Sequence, residues 1–441
     1  MADWERWNEW TLRELPRLNR AILHGSAPPS ALTAEFSRAV LEQLPAPEDL
    51  PSRDARRVLV LLGLAGASVA RHHQEADLAR KARPHESFDP LTAGPDGIAF
   101  LEYFGRLARA TGAGHPARDS FASLVRWNVP DTVVEMDGRR VLRLPGDFPG
   151  LSTRTYTADP GEIAFFELLK KSEAFEAAVN ETLEPVADGS IAVLSPPAVV
   201  RALAATRLMN ALIRLNQAFG ARSPENGGMR TEHFMDVFRQ FAVHWRLDDV
   251  PPTGAQDPEF LRRDFLLGIG FPDYGAHVRR VFPGMLADEC ARLERDMLRD
   301  PIPLLLLRAL GLDQADPAAL PADRIRATLD DHPALAAWYL LLSANAKFGG
   351  VHVQLTEKYL FKPQRARDAA GIGDRGLVSN RRGTTGMAEP LLVRLARARR
   401  DHPLRFVGRV PDEELAARCG IDRARSSTEQ SPTVRFIAGE Q

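Results

Sequence analysis

Cysteine is scarce in this chain of 441 residues, with only Cys290 and Cys419, which lie far apart in the sequence. Two distant thiols cannot build a disulfide framework or a cysteine-rich metal site, and such usage is typical of proteins from a reducing cytoplasm. The first residues also lack a basic stretch followed by an apolar run. The sequence therefore predicts no signal peptide and a cytoplasmic location.

Long apolar runs and an excess of one charge are also missing. The most apolar run, residues 302–312, is interrupted by Arg308 and is too short to cross a bilayer. The formal net charge is −1, with acidic and basic residues interspersed, which argues against binding to nucleic acid or to a membrane surface. We therefore expect no nucleic-acid or membrane partner, while the oligomeric state stays open.

The common nucleotide and zinc motifs are absent as well. The sequence contains no Walker loop, no Rossmann glycine fingerprint, no H-E-x-x-H and no internal repeat. No acid–base dyad stands out either. These absences exclude the usual nucleotide-binding and zinc-dependent explanations.

Apolar residues recur at helical spacing along most of the chain, which predicts an all-α fold. We predict a small, mainly helical N-terminal domain over residues 1–150, a large helical domain over 151–400 and a tail over 401–441 whose end is disordered. A β-hairpin in the small domain is indicated by Asp137-Gly138 between two alternating segments, residues 132–136 and 139–144. The predicted helices span residues 3–22, 30–44, 53–72, 97–110, 117–127, 161–183, 196–220, 230–246, 257–268, 274–299, 302–311, 321–330, 333–360 and 387–400.

The helix predicted over 333–360 carries His352 on a mostly apolar face, together with Phe348 and Tyr359. Gly349 and Gly350 lie one turn before the histidine, where glycine costs helix stability. This cost indicates that something bulky approaches the backbone, and a macrocycle whose iron binds the imidazole would fit. The alternatives are a hydrogen-bonded core histidine and a glycine pair that permits tight helix packing.

A second candidate segment is a glycine–threonine turn that follows two arginines. It reads Arg381-Arg382-Gly383-Thr384-Thr385-Gly386 and opens the last predicted helix of the large domain. The free N–H groups of such a helix start attract anions, for example a substrate carboxylate or a haem propionate. The alternative is an ordinary loop that leads into a capped helix.

Several separated segments, in this order, resemble the indoleamine 2,3-dioxygenase and tryptophan 2,3-dioxygenase superfamily, which includes the pyrrolnitrin-pathway haem enzyme that rearranges chlorotryptophan. The similar segments are residues 161–169, with Phe165 and Phe166; residues 234–239, with Phe234 and Arg239; Thr253-Gly254-Ala255-Gln256; His352 in the pattern H-x-Q-x-x-x-K-Y; and Gly383-Thr384-Thr385-Gly386. The resemblance covers roughly residues 115–400.

The resemblance implies an oxygenase that uses haem b (iron protoporphyrin IX) and dioxygen on an aromatic amino acid. His352 would bind the iron, and no side chain would be needed as a strong base. The implied substrate-binding residues are Arg239, Phe165, Phe166, Phe234, Thr384 and Thr385. The implied cofactor-binding residues are Gly254, Ala255, Gly349, Gly383 and Gly386.

The chain also departs from the family. Gly349 stands where mammalian members have a propionate-pairing arginine, Leu169 falls near their distal serine, and Thr385 and Met387 replace a frequent glycine and a polar residue. Three functions stay open: opening of the indole ring of tryptophan or a relative, oxidation or rearrangement of a modified aromatic amino acid in natural-product biosynthesis, and a non-catalytic haem-binding scaffold. Without the resemblance, Arg239 is better explained by a salt bridge and the phenylalanines by a plain core.

Overall fold

Helices dominate the computed structural model, which describes residues 4–113, 118–313, 320–379, 389–419 and 431–438. This confirms the prediction of an all-α fold. The α-helices are α1 Trp4–Leu23, α2 Pro29–Ala39, α3 Ser52–Ala76, α4 Phe100–Thr111, α5 Pro160–Ala187, α6 Pro196–Ala221, α7 Pro258–Leu266, α8 Tyr274–Arg279, α9 Ala287–Leu298, α10 Ile302–Ala309, α11 Ala322–Asp331, α12 Ala334–Thr356, α13 Lys362–Ala369, α14 Glu389–Arg400 and α15 Asp412–Arg418. The strands are β1 Thr92–Ala93, β2 Ile98–Ala99, β3 Thr132–Met136, β4 Arg139–Leu144 and β5 Thr433–Phe436.

The predicted hairpin forms, but it has a third strand. Asp137 and Gly138 both adopt positive φ values, 54° and 71°, as a two-residue turn of this type requires. β5 pairs antiparallel with β3 on the side opposite β4, so the sheet order is β4-β3-β5. The prediction of a disordered end of the tail is therefore wrong for Thr433–Phe436. These residues are ordered by backbone hydrogen bonds to β3, which a short polar sequence does not reveal.

Two large hydrophobic clusters hold the helices together. The first joins α1–α4 and includes Trp7 and Trp10, so the tryptophans of the first helix are packing residues. The second joins most of the later helices, with α6 packed against both α5 and α12. Each cluster also takes in residues from the other side of position 150, for example Val134 in the second cluster and Phe241 and Trp245 in the first. The domain boundary at 150 stays a prediction.

Two predicted helices are wrong, because neither is one continuous helix in the structure. Instead of one helix over 230–246, the chain forms a π-helical turn, His233–Val237, and a 3-10 turn, Phe238–Phe241. Side chains bind the carbonyl groups there: Arg71 Nη1 donates to Val237 O at 2.7 Å, and Gln240 Nε2 donates to Met235 O at 2.8 Å. The backbone can therefore leave the α-helical pattern without losing hydrogen bonds.

The predicted helix over 274–299 is divided into α8 and α9 by a 3-10 turn, Phe282–Gly284. Pro283 cannot donate a helical hydrogen bond, and Gly284 packs directly on the side chain of Gln256, where a Cβ atom would lie 1.9 Å from Nε2. The predicted helices over 30–44 and 117–127 are also shorter. The first ends at Ala39, and the second is a π-helical turn, Ala122–Arg126.

Among the described residues, no helix is both long enough and apolar enough to cross a membrane. Cys290 and Cys419 are free thiols.

Candidate functional site

A cavity of about 300 Å³ lies between α5, α6, α7, α12 and the irregular segment 233–241. This volume is at the lower end of the range for small-molecule and cofactor sites. The cavity brings together predicted site residues that are far apart in the chain: Phe165, Phe166, Phe234, Arg239, Gly254, Ala255 and His352.

Other predicted site residues are not placed in this wall. Gly349 is not among the described residues that line the cavity. Gly383, Thr384, Thr385 and Gly386 lie outside the described residues, so their predicted roles in substrate and cofactor binding stay predictions.

One end of the cavity is aromatic. Phe165 on α5 lies 5.5 Å from Phe234 and 5.3 Å from Phe238, between ring centroids, in edge-to-face geometry. Tyr359, in the π-helical turn that follows α12, lies 5.7 Å from Phe234. Phe219 of α6 is 5.8 Å from Tyr359. We call Phe165, Phe219, Phe234, Phe238 and Tyr359 the aromatic end, and its apolar faces suit a flat ring.

His352 lies on α12 about two turns before Tyr359, and its exposed surface faces the cavity. Its imidazole lies between Phe260 and Phe348, with ring centroids 5.6 and 6.1 Å away. Within the described part of the chain, no side chain or carbonyl hydrogen-bonds to its ring nitrogens. Burial, and then the positive charges of Arg399 and Arg263, lower its pKa to about 4, so the ring is neutral at neutral pH.

The glycine pair before His352 has a different explanation from the predicted one. A Cβ atom on Gly349 would lie 3.0 Å from Cδ of Arg399, which belongs to α14. Gly350 is exposed, and a Cβ atom added there would meet nothing within 4 Å. Arg399 is buried, and its Nε and Nη2 donate to Asp264 at 3.1 and 2.7 Å. The structure thus agrees with the helix-packing alternative: the bulky group beside Gly349 is an arginine side chain.

Arg239 is buried in the cavity wall, next to the aromatic end. Burial lowers its pKa to about 10, and the negative charge of Asp374 opposes that shift. The guanidinium therefore keeps its charge at neutral pH, and its Nη1 lies 3.8 Å from Met235 Sδ. A buried guanidinium is suited to pairing with a carboxylate.

The opposite end of the cavity is charged, and the sequence prediction missed it. Glu176 on α5 and Asp257 at the start of α7 both line the cavity, and the negative charge of Glu176 acts on Asp257. Arg263 Nη1 donates to Glu176 at 2.6 Å, and the Arg263 guanidinium stacks over the rings of Phe260 and Phe348. We call Glu176, Asp257 and Arg263 the charged end.

Burial disfavours the ionised form of both carboxyl groups. Burial, followed by the charge of Glu176, raises the pKa of Asp257 well above its ordinary value. Burial also raises the pKa of Glu176, but Arg263 favours its ionised form. The Oδ1 atom of Asp257 accepts the backbone N–H groups of Glu259 and Phe260, and the bond from Phe260 opposes the rise in the pKa of Asp257.

Spacing along α5 was the signal that could have revealed Glu176. It lies eleven residues after Phe165, on the same face as Leu169 and Ser172, so one helix face supplies both ends of the cavity. At 1.5 Å per residue, the two ends are about 16 Å apart along the helix. No comparable signal marks Asp257, because Asp before Pro at a helix start indicates only a cap.

The residues fit a haem held by a single protein ligand. The imidazole of His352 is neutral, faces a cavity with apolar walls and has no hydrogen bond to its ring nitrogens among the described residues. An axial ligand of haem iron needs this arrangement. Across the described ranges, no group of three or more His, Cys, Asp or Glu side chains could hold a metal ion by itself. A haem iron requires only one such side chain.

No protein-family model matches the chain, and no curated protein sequence matches it.

Proposed function

We propose that this protein is a haem-dependent oxygenase that acts on tryptophan or a related aromatic amino acid. The observation that carries the proposal is the convergence of one histidine, one arginine and three phenylalanines on a single cavity. These five residues come from three separate segments of the chain, and each is a site residue that the resemblance implies. The resemblance to the indoleamine 2,3-dioxygenase superfamily supports the same assignment.

His352 would hold the iron of haem b through one ring nitrogen, since its imidazole is neutral and faces the cavity. When bound, the haem supplies the site for dioxygen and the redox chemistry. Gly254 and Ala255 leave space in the wall beside it. A Cβ atom on Gly254 would meet only Leu169 Cδ2, at 3.7 Å.

Arg239 would bind the substrate carboxylate and the aromatic end would hold its ring, so the substrate is oriented by one charged contact and several ring contacts. The apolar walls exclude water from the ring.

A second candidate is oxidation or rearrangement of a modified aromatic amino acid. Leu169 favours it, because this apolar side chain lines the cavity at the position where mammalian family members have a distal serine. The Leu169 side chain offers no hydrogen bond there, and its apolar surface suits an apolar substituent on the ring.

The test is the absorption spectrum of the purified protein, reconstituted with hemin, compared with that of His352→Ala. We expect a Soret band in the wild type and loss of tight haem binding in the variant, with unchanged far-UV circular dichroism. Equal haem binding by both proteins overturns the ligand assignment.

The ligand experiments then separate the candidates. A Soret shift with L-tryptophan and formation of N-formylkynurenine under reducing conditions support ring-opening dioxygenation. A shift without kynurenine supports the second candidate. A haem spectrum that ignores aromatic amino acids overturns both in favour of a non-catalytic haem-binding scaffold.

The role of Arg239 is tested separately with Arg239→Ala. We expect weaker binding of L-tryptophan, by about tenfold or more, and little change for indole, because only the amino acid carries a carboxylate. Equal losses for both ligands contradict the role.

A further inference from the structure

Residues 374–379, which we call the strap, lie across the segment 233–241 that carries Arg239 into the cavity wall. Gln240, the neighbour of Arg239, connects the two. Its Oε1 accepts the backbone N–H groups of Val378 and Ser379 at 2.8 and 3.0 Å. Its Nε2 donates to Met235 O at 2.8 Å, so one amide uses both of its ends.

The site around Gln240 is built and buried. Gln240 is 1% exposed, while Leu377 and Ser379 of the strap are 5% and 6% exposed. Lys81 Nζ, in the 3-10 turn Leu78–Ala82 that follows α3, donates to Leu377 O at 2.8 Å and adds a further contact to the strap. If the Gln240 amide is removed, the buried N–H groups of Val378 and Ser379 lose their acceptor, and this loss destabilises the fold.

The other end of the strap is tied to the same segment. Arg367 on α13 pairs with Asp236 at 3.0 Å, and its Nε donates to Gly373 O at 3.1 Å, immediately before the strap. Asp374, the first residue of the strap, interacts electrostatically with Arg239. The strap and the Arg239 segment are therefore joined on both sides of Arg239 itself.

The irregular backbone of the segment explains why such ties are needed. Its π-helical and 3-10 turns leave carbonyl groups that side chains have to bind, as Gln240 does for Met235 and Arg71 does for Val237. The segment is therefore held by side chains from outside it as well as by its own backbone hydrogen bonds.

We propose that Gln240 is a positioning residue: it fastens the strap to the segment 233–241 and thereby holds the Arg239 guanidinium in the cavity wall. The fastening does not depend on haem. Its effect on a substrate carboxylate rests on the proposed role of Arg239.

Hydrogen exchange of the full chain, followed by mass spectrometry, tests the fastening without any ligand. In Gln240→Leu, we expect exchange at residues 374–379 and 233–241 to be about tenfold or more faster, because the three hydrogen bonds between the Gln240 side chain and backbone groups are lost. Gln240→Glu keeps an acceptor for Val378 and Ser379, so the strap should stay close to the wild-type rate.

Gln74→Leu is the matched control. Gln74 is equally buried, and its Nε2 donates to His244 O at 2.8 Å, away from the strap. It should leave exchange in both segments unchanged. The proposal is overturned if the strap of Gln240→Leu exchanges at the wild-type rate. It is also overturned if exchange becomes faster at the strap but stays at the wild-type rate in residues 233–241.

Ligand binding separates positioning from general stability. In hemin-reconstituted protein, Gln240→Leu should weaken L-tryptophan by about fivefold or more and indole by less than about twofold. Equal weakening of both ligands means a structural role and contradicts the positioning of Arg239. If the wild type binds neither ligand, the proposed function fails, while the exchange result still decides whether Gln240 fastens the segment.

Discussion

One face of α5 contributes to both ends of the cavity, but the two ends are stabilised by different forces. At the aromatic end, Phe165, Phe234 and Phe238 contact one another through ring edges and faces, and each keeps some surface toward the cavity. At the charged end, Glu176 and Arg263 are fully buried and neutralise each other. The aromatic end should therefore lose stability in small steps when it is truncated, whereas the charged end should fail when a single charge is removed.

The largest effect is expected at the charged end, from Arg263→Met. The change leaves Glu176 buried without its cation, so the free energy of unfolding should fall by about 3–5 kcal/mol. Denaturant unfolding measures it. Arg279→Met is the control, because its partner Glu294 and Arg279 itself are exposed, 39% and 50% respectively, and little change is expected there. Similar losses in the two variants would break the comparison.

The aromatic end is tested by truncating Phe234, with the fully buried Phe241, which does not belong to this end, as the comparison. Phe241 is fully buried behind this end and stacks on Tyr156 at 4.1 Å, so Phe241→Ala should cost about 3–5 kcal/mol. Phe234 already faces the cavity, and Phe234→Ala should cost only about 1–2 kcal/mol. Thermal or urea unfolding of both variants provides the measurement. Equal losses of unfolding free energy in the two variants would mean that Phe234 is packed as tightly as Phe241, although it faces the cavity.

The third prediction concerns pH and His352, beside the charged end. Its pKa is about 4 in the folded chain and about 6.5 when unfolded, so the unfolded chain binds an extra proton between these values. Stability from this group is fully present above pH 6.5 and is lost as the pH falls toward 4, by up to about 3 kcal/mol. Unfolding of haem-free wild type and His352→Leu should show a flatter pH profile in the variant.

In that comparison His72 and His402, whose pKa values burial also lowers, contribute equally to both proteins and cancel. Identical pH profiles for the wild type and the variant would show that His352 is solvated.

The smallest effect separates the two glycines. Gly350→Ala should raise the free energy of unfolding by about 0.5–1 kcal/mol, because the position is an open site inside a helix. Gly349→Ala should bring no gain, since its Cβ atom would crowd Arg399 at 3.0 Å. Equal gains from both substitutions would rule out a packing role for Gly349.

Local patterns predicted much of the fold. Apolar spacing located α1, α5, α6 and the helix of His352, and Asp137-Gly138 located the hairpin. Patterns failed where distant side chains decide the backbone: Arg71 and Gln240 bind carbonyls in the segment 233–241, and Gln256 packs on Gly284. Such contacts join residues far apart in the chain, so no local window contains them.

By itself, the sequence determined that the chain is helical, that His352 lies on an apolar helix face, and which residue types are available for a site. Only the tertiary structure decided that Phe165, Arg239 and His352 share one cavity, that Arg399 explains Gly349, and that Glu176 meets Asp257. The physical reason is range. Helical periodicity and turn chemistry act over a few residues, whereas burial, charge pairing and cavity shape arise only when separate helices pack together.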